Sequence, residues 1–207
     1  MARPFLTDAA KAALLDAVRA VEARSAAEVV VAVRERSGSY LHADLVAGIV
    51  AANLVLFYQL FSPWEFSLPL IQVAPTGVGL LVGLATSITP WARRALTPRR
   101  TREAMVRTAA RATFVEKGVT ATRARTGILV YVAVLERTAE VVADLGVTRA
   151  VAAEPWTAAI ARVAESARRG DAAAVARAVA ALAEVLAPAL PRSADDVNEL
   201  ADEVGAA

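Results

Sequence analysis

Any chemistry in this chain has to come from carboxylates and arginines, because the usual nucleophiles and bases are missing. The 207 residues contain no cysteine and one histidine, His42. Disulfides, thiolate metal sites and cysteine nucleophiles are therefore excluded, and Ser-His or Cys-His arrangements of the usual kind cannot be assembled. His42 stands at the border of a long apolar run and reads as a surface residue, not a catalyst. The remaining candidates are Glu140 and Asp144. On an extended strand, Glu140, Val142 and Asp144 point to one face, where the two acids could meet Arg125 or Glu136 at a sheet end. The competing reading turns Glu140 to solvent and gives Asp144 a turn bond before Gly146. No metal site and no cofactor is assigned to these residues.

The basic residues are concentrated. The net charge is only +2, yet "RRALTPRRTREAMVRTAARA" holds Arg93, Arg94, Arg99, Arg100, Arg102, Arg107 and Arg111. The first five are suited to anionic lipid head groups, at about 1 kcal/mol per residue near a membrane surface. No aromatic interleaving or nucleic-acid motif accompanies them, so nucleic acid is not an expected partner.

Immediately before this cluster lie two runs without a charge: 17 residues from Leu45 to Phe61 and 26 from Ser67 to Ala92. As helices they would be about 25 and 39 Å long, against a hydrocarbon core of about 30 Å. The first can lengthen into Ala43 or settle in a thinner bilayer, while the second must tilt or begin late; Pro69 and Pro75 suggest that it begins late or bends near its start. Apolar on every face, such helices suit lipid better than a soluble core, in keeping with a mean hydropathy of +0.45. Trp64, Trp91 and Tyr58 sit where amphipathic rings favour a membrane interface. The arginine flank, with Arg24, Arg34 and Arg36 upstream and only Glu65 in the turn, predicts both ends in the cytoplasm and "SPWEF" outside. Gly48-xxx-Ala52 and Gly79-xxx-Gly83 permit close helix contact, within the hairpin or between copies of the chain in a homo-oligomer. Asn53, the most polar residue deep in the first run, is expected to bond a neighbouring helix; the spans carry too few polar residues for a conduction path. The N-terminal residues lack the pattern of a secretory signal.

The remainder reads as α/β. A helix is predicted over 8–24, capped by Thr7 or Asp8, followed by a buried strand over 28–33. A helix from Thr97 and Pro98 to Gly118 comes next, then strands over 128–135 and 139–143 around a turn at Glu136 and Arg137. A helix opened by Pro155 stops at Gly170, and Asp171 caps a last helix ending before Pro188. The acidic segment 192–207 reads as a solvated tail or a loosely held helix. The chain thus divides into 1–42, the hairpin 43–92, 93–191 and the tail.

The stretch "RTGILVYVAVLERTAEVVADLGV" with "PWTAAIARVAESARRGDAAAVARAVAALAEVLAPALP" resembles the TPM domain family, and "LTDAAKAALLDAVRAVEARSAAEVVVAV" is similar to that family's opening helix and strand. The resemblance implies a three-layer α/β/α sandwich around a small mixed sheet, into which this chain inserts a two-helix transmembrane hairpin. Some members of the family have been proposed as acid phosphatases, and some bind calcium through acids just before the glycine of the "G[IV]L" strand. Here Arg125 and Thr126 precede Gly127. Calcium requires several hard oxygens, which an arginine does not offer.

Two functions therefore compete. The first is a non-enzymatic interaction or scaffold module, held at the bacterial inner membrane by lipid and docking a protein partner whose identity the sequence does not carry. The second is a metal-assisted phosphatase using Asp144 and neighbouring acids. The missing acids before Gly127 favour the first.

Overall fold

The computed structural model describes residues 5, 7–193, 199–200 and 204–206. It has an α/β fold in which helices dominate, and it divides into two compact units, residues 38–102 and the combined segments 1–37 and 103–207. The helical unit reaches beyond 43–92 at both ends.

In the α/β unit, Thr7 accepts from the Ala10 amide at 3.2 Å and starts α1 (Asp8–Glu22). Leu14, Ala17, Val18 and Val21 form its buried stripe, the 3.6-residue periodicity expected of a helix lying on a core. Strand β1 (Glu28–Arg34) is apolar on both faces and central. It pairs in parallel with β2 (Gly127–Ala133), and β2 pairs antiparallel with β3 (Thr138–Ala143). A short β4 (Val204–Ala206) pairs in parallel with β1, giving a mixed sheet of order β3-β2-β1-β4. The acidic tail thus ends in a strand where a solvated segment or helix was expected. Asp195, Asp196, Asp202 and Glu203 lie outside the described residues.

Because side chains alternate along a strand, β1 and β2 feed two separate clusters. Val29, Val31, Val33, Ile128, Val130 and Val132 pack with α1, α7 (Ala153–Arg169) and α8 (Ala172–Ala180). Val30, Ala32, Leu129 and Tyr131 pack with Val106, Ala110 and Phe114 of α5 (Arg99–Glu116) and with Val119.

The last helix is not continuous. It breaks after α8, and α9 (Ala183–Ala189) contains Pro188, which the sequence reading placed beyond the helix end. Pro188 falls in the final turn, and it removes one ladder donor there. A further short helix, α6 (Leu145–Ala150), follows β3.

In the helical unit, α2 (Leu41–Phe61) and α3 (Leu68–Ser87) are 21 and 20 residues long, about 30 Å each at 1.5 Å per residue. The second does not begin late: Pro69 sits in its first turn, where the missing N–H has no partner to lose, and Pro75 lies inside it. It instead ends early. Thr89, held extended at φ −109° and ψ 98° by the proline that follows it, separates it from α4 (Pro90–Leu96).

Candidate functional site

The distinctive surface of this chain is the helical unit. Of the 22 large apolar side chains exposed among the described residues, 20 lie between Leu41 and Leu96. Leu54, Phe57, Leu68, Leu80 and Leu84 are all more than 60% exposed, on both helices and at every depth. Trp64 in the connection and Trp91 in α4 are exposed at opposite ends of α3. A third segment, Ala172–Ala189, also has the length and hydropathy of a span. Its Val175, Val179, Leu182 and Leu186 are wholly buried in the α/β core, and its hydropathy owes much to alanine.

Small residues make the α2–α3 seam. A Cβ added to Gly48 would stand 2.7 Å from the Gly79 carbonyl oxygen, and one on Gly79 would stand 2.9 Å from the Gly48 oxygen and 3.0 Å from the Ala52 Cβ. Beside Gly83 the Asp44 carbonyl lies at 3.2 Å. All four small residues are therefore used inside the hairpin, where backbones approach as closely as glycine allows. Near the connection, Gln59 Nε2 donates to the Leu70 carbonyl at 3.3 Å. Asn53 departs from expectation: its Nδ2 donates at 2.8 Å to the Ile49 carbonyl of its own helix, and the side chain is exposed.

At the other end of the hairpin is a pair the sequence reading missed. Arg93 grips Asp44 with two hydrogen bonds, Nε to Oδ1 at 3.0 Å and Nη2 to Oδ2 at 2.6 Å, with side-chain exposures of 15% and 10%. Asp44 lies in the first turn of α2 and Arg93 in the last turn of α4, so each charge also complements its helix dipole. The only signal was that Asp44 is the last charge before the first apolar run and Arg93 the first after the second. Arg93, expected among the lipid-contacting arginines, thus commits its Nε and Nη2 to Asp44. Arg99 and Arg100 are exposed, while Arg94 and Arg102 are half-buried. His42 Nε2 lies 3.3 Å from Thr97 Oγ1.

The carboxylate candidates do not come together. Arg125, at φ 57°, donates Nε to Asp144 Oδ2 at 2.6 Å and Nη2 to Oδ1 at 2.9 Å. Asp144 also accepts from the Leu145 amide at 2.7 Å and caps α6. The hydrogen-bonded Arg125 guanidinium holds its carboxyl below the usual range against the opposing effect of burial. A carboxylate so engaged is a poor base. Glu140 is half-buried, 3.9 Å from Arg107, and Glu136 accepts from the Ser37 amide at 2.7 Å. Among the described residues, no three His, Asp or Glu side chains gather as a metal would require.

No family model matches this chain, and no curated protein matches it. A solved structure does: the NMR structure of the BA42 protein from the psychrophilic bacterium Bizionia argentinensis superposes with a TM-score of 0.59 at 17% identity, covering 98% of this chain and 96% of that one. At that identity the likeness carries the fold alone.

Proposed function

We propose that this protein is a membrane-anchored interaction or scaffold module, with α2 and α3 crossing the bacterial inner membrane and the α/β unit docking a protein partner in the cytoplasm. The observation that carries this is the exposed apolar surface of the paired helices. Leaving a large apolar side chain in water forgoes about 1.5–3 kcal/mol. Twenty such groups forgo tens of kcal/mol even when only partly exposed, well above a domain's typical stability of about 5–15 kcal/mol. Lipid removes that cost. Helices of about 30 Å match a hydrocarbon core of about 30 Å, and Trp64 and Trp91 provide an aromatic at each border. The arginine flank supports cytoplasmic termini, with Arg94, Arg99, Arg100 and Arg102 against anionic head groups.

We read the α/β unit as a TPM-like α/β/α sandwich. Support comes from the two apolar clusters on opposite strand faces and from the order of elements. A phosphatase role finds no support in the geometry around Asp144, which is tied up by Arg125. Full-length protein should float with lipid vesicles and require surfactant for solubility; a monodisperse, lipid-free protein in plain buffer refutes the anchor. Hydrolysis of a generic phosphate ester that disappears in Asp144→Asn would replace the scaffold reading with the enzymatic one.

A further inference from the structure

The outward face of α2 is incomplete in a bilayer. Asn53 lies near the middle of the helix, and its bond to Ile49 uses one amide hydrogen. The side chain is exposed on an otherwise apolar surface, and among the described residues its second hydrogen and Oδ1 have no partner. Around it Ile49, Val50, Leu54, Phe57 and Phe61 border a shallow, open hollow between side chains of α2 alone. The rings of Phe57 and Phe61, 4.5 Å between centroids, stand along it as a ridge. A groove beside a ridge on one helix is the surface that another helix packs into. The small residues that could otherwise mediate association are already spent against α3.

We propose that this face pairs with the same face of a second copy, with Asn53 of each chain bonded to Asn53 of the other across a two-fold axis. A carboxamide both donates and accepts, so one residue type satisfies itself reciprocally at an isologous contact. Acyl chains offer neither donor nor acceptor, and a polar group at span depth is costly when left unpaired. The inference rests on the membrane reading above.

The chain has no native cysteine, so single-cysteine variants report without background. Full-length Ile49→Cys and Phe57→Cys, one turn either side of Asn53, should form disulfide-linked dimers in lipid vesicles under mild oxidation. Leu80→Cys, on α3, should not. Adding Asn53→Leu should lower the apparent association constant by about three- to tenfold, the range for an interhelical polar contact, when energy transfer is followed as the protein is diluted in lipid. Asn53→Gln should keep most of it. Unchanged association in Asn53→Leu, equal linking at Leu80→Cys, or a monomer at every lipid ratio overturns the dimer while leaving the anchor intact. Failure to enter vesicles at all overturns both.

Discussion

Two glycine-to-alanine changes in neighbouring helices should have opposite effects, and the difference isolates the helix seam. At Gly48 the new Cβ meets the Gly79 carbonyl oxygen at 2.7 Å, a backbone atom that cannot rotate away. At Gly77, on α3, a Cβ meets nothing within 4 Å. Both substitutions gain helix propensity of up to about 1 kcal/mol, so that contribution cancels between them. What remains is the overpacking at Gly48, about 1–3 kcal/mol for a methyl forced into a filled contact. Gly48→Ala should therefore be less stable than Gly77→Ala by about 1–3 kcal/mol, with Gly77→Ala at or above the parent. The assay is reversible unfolding of full-length protein in mixed micelles, titrated with a denaturing surfactant and followed by helical circular dichroism. Gly79→Ala should resemble Gly48→Ala, and the double variant should fall short of the sum because the helices need separate only once. Equal stabilities for Gly48→Ala and Gly77→Ala would refute the close backbone approach.

Removing Asp44 leaves Arg93 unpaired in a mostly buried position. Asp44→Ala should cost about 3–5 kcal/mol in the same micellar unfolding assay, and Asp44→Ala with Arg93→Ala should recover part of the loss. In the α/β unit, the Asp144 carboxyl titrates below its ordinary value because of Arg125. Its contribution to stability is therefore complete above the unfolded value of about 3.9 and disappears as pH falls through the lower folded one. Asp144→Asn should flatten the acid limb of the unfolding midpoint against pH; an unchanged slope below pH 4 would show that the pair does not stabilise the fold.

What could be read from the chain follows from how local each signal is. The helix from Asp8 is written in Leu14, Val18 and Val21 and its Thr7 cap, and β1 in an unbroken run of valines. The two apolar runs announce α2 and α3 because each helix is apolar all round, and Gly170, at φ 74°, ends α7. The turn at Glu136 and Arg137 was legible from its position between two β-branched runs. Features that depend on distant partners were not. Asp44 and Arg93 are 49 residues apart and meet only because α3 and α4 return the chain to the base of α2. Arg125 and Asp144 were named together, but not that they would hold each other in a two-pronged pair. The strand at Val204 has no β-rich sequence of its own and exists by pairing with β1. Asn53 was expected to reach a neighbouring helix; the Ile49 carbonyl four residues back is within reach without any partner.

The central claim is that α2 and α3 cross a bilayer, and labelling single cysteines in the otherwise cysteine-free chain tests it most directly. In intact cells an impermeant maleimide should label Glu65→Cys, should leave Leu54→Cys and Leu81→Cys unlabelled even after permeabilisation, and should reach Arg100→Cys only once the membrane is opened. Ready labelling of Leu54→Cys and Leu81→Cys in opened cells would put both helices in water and contradict the account.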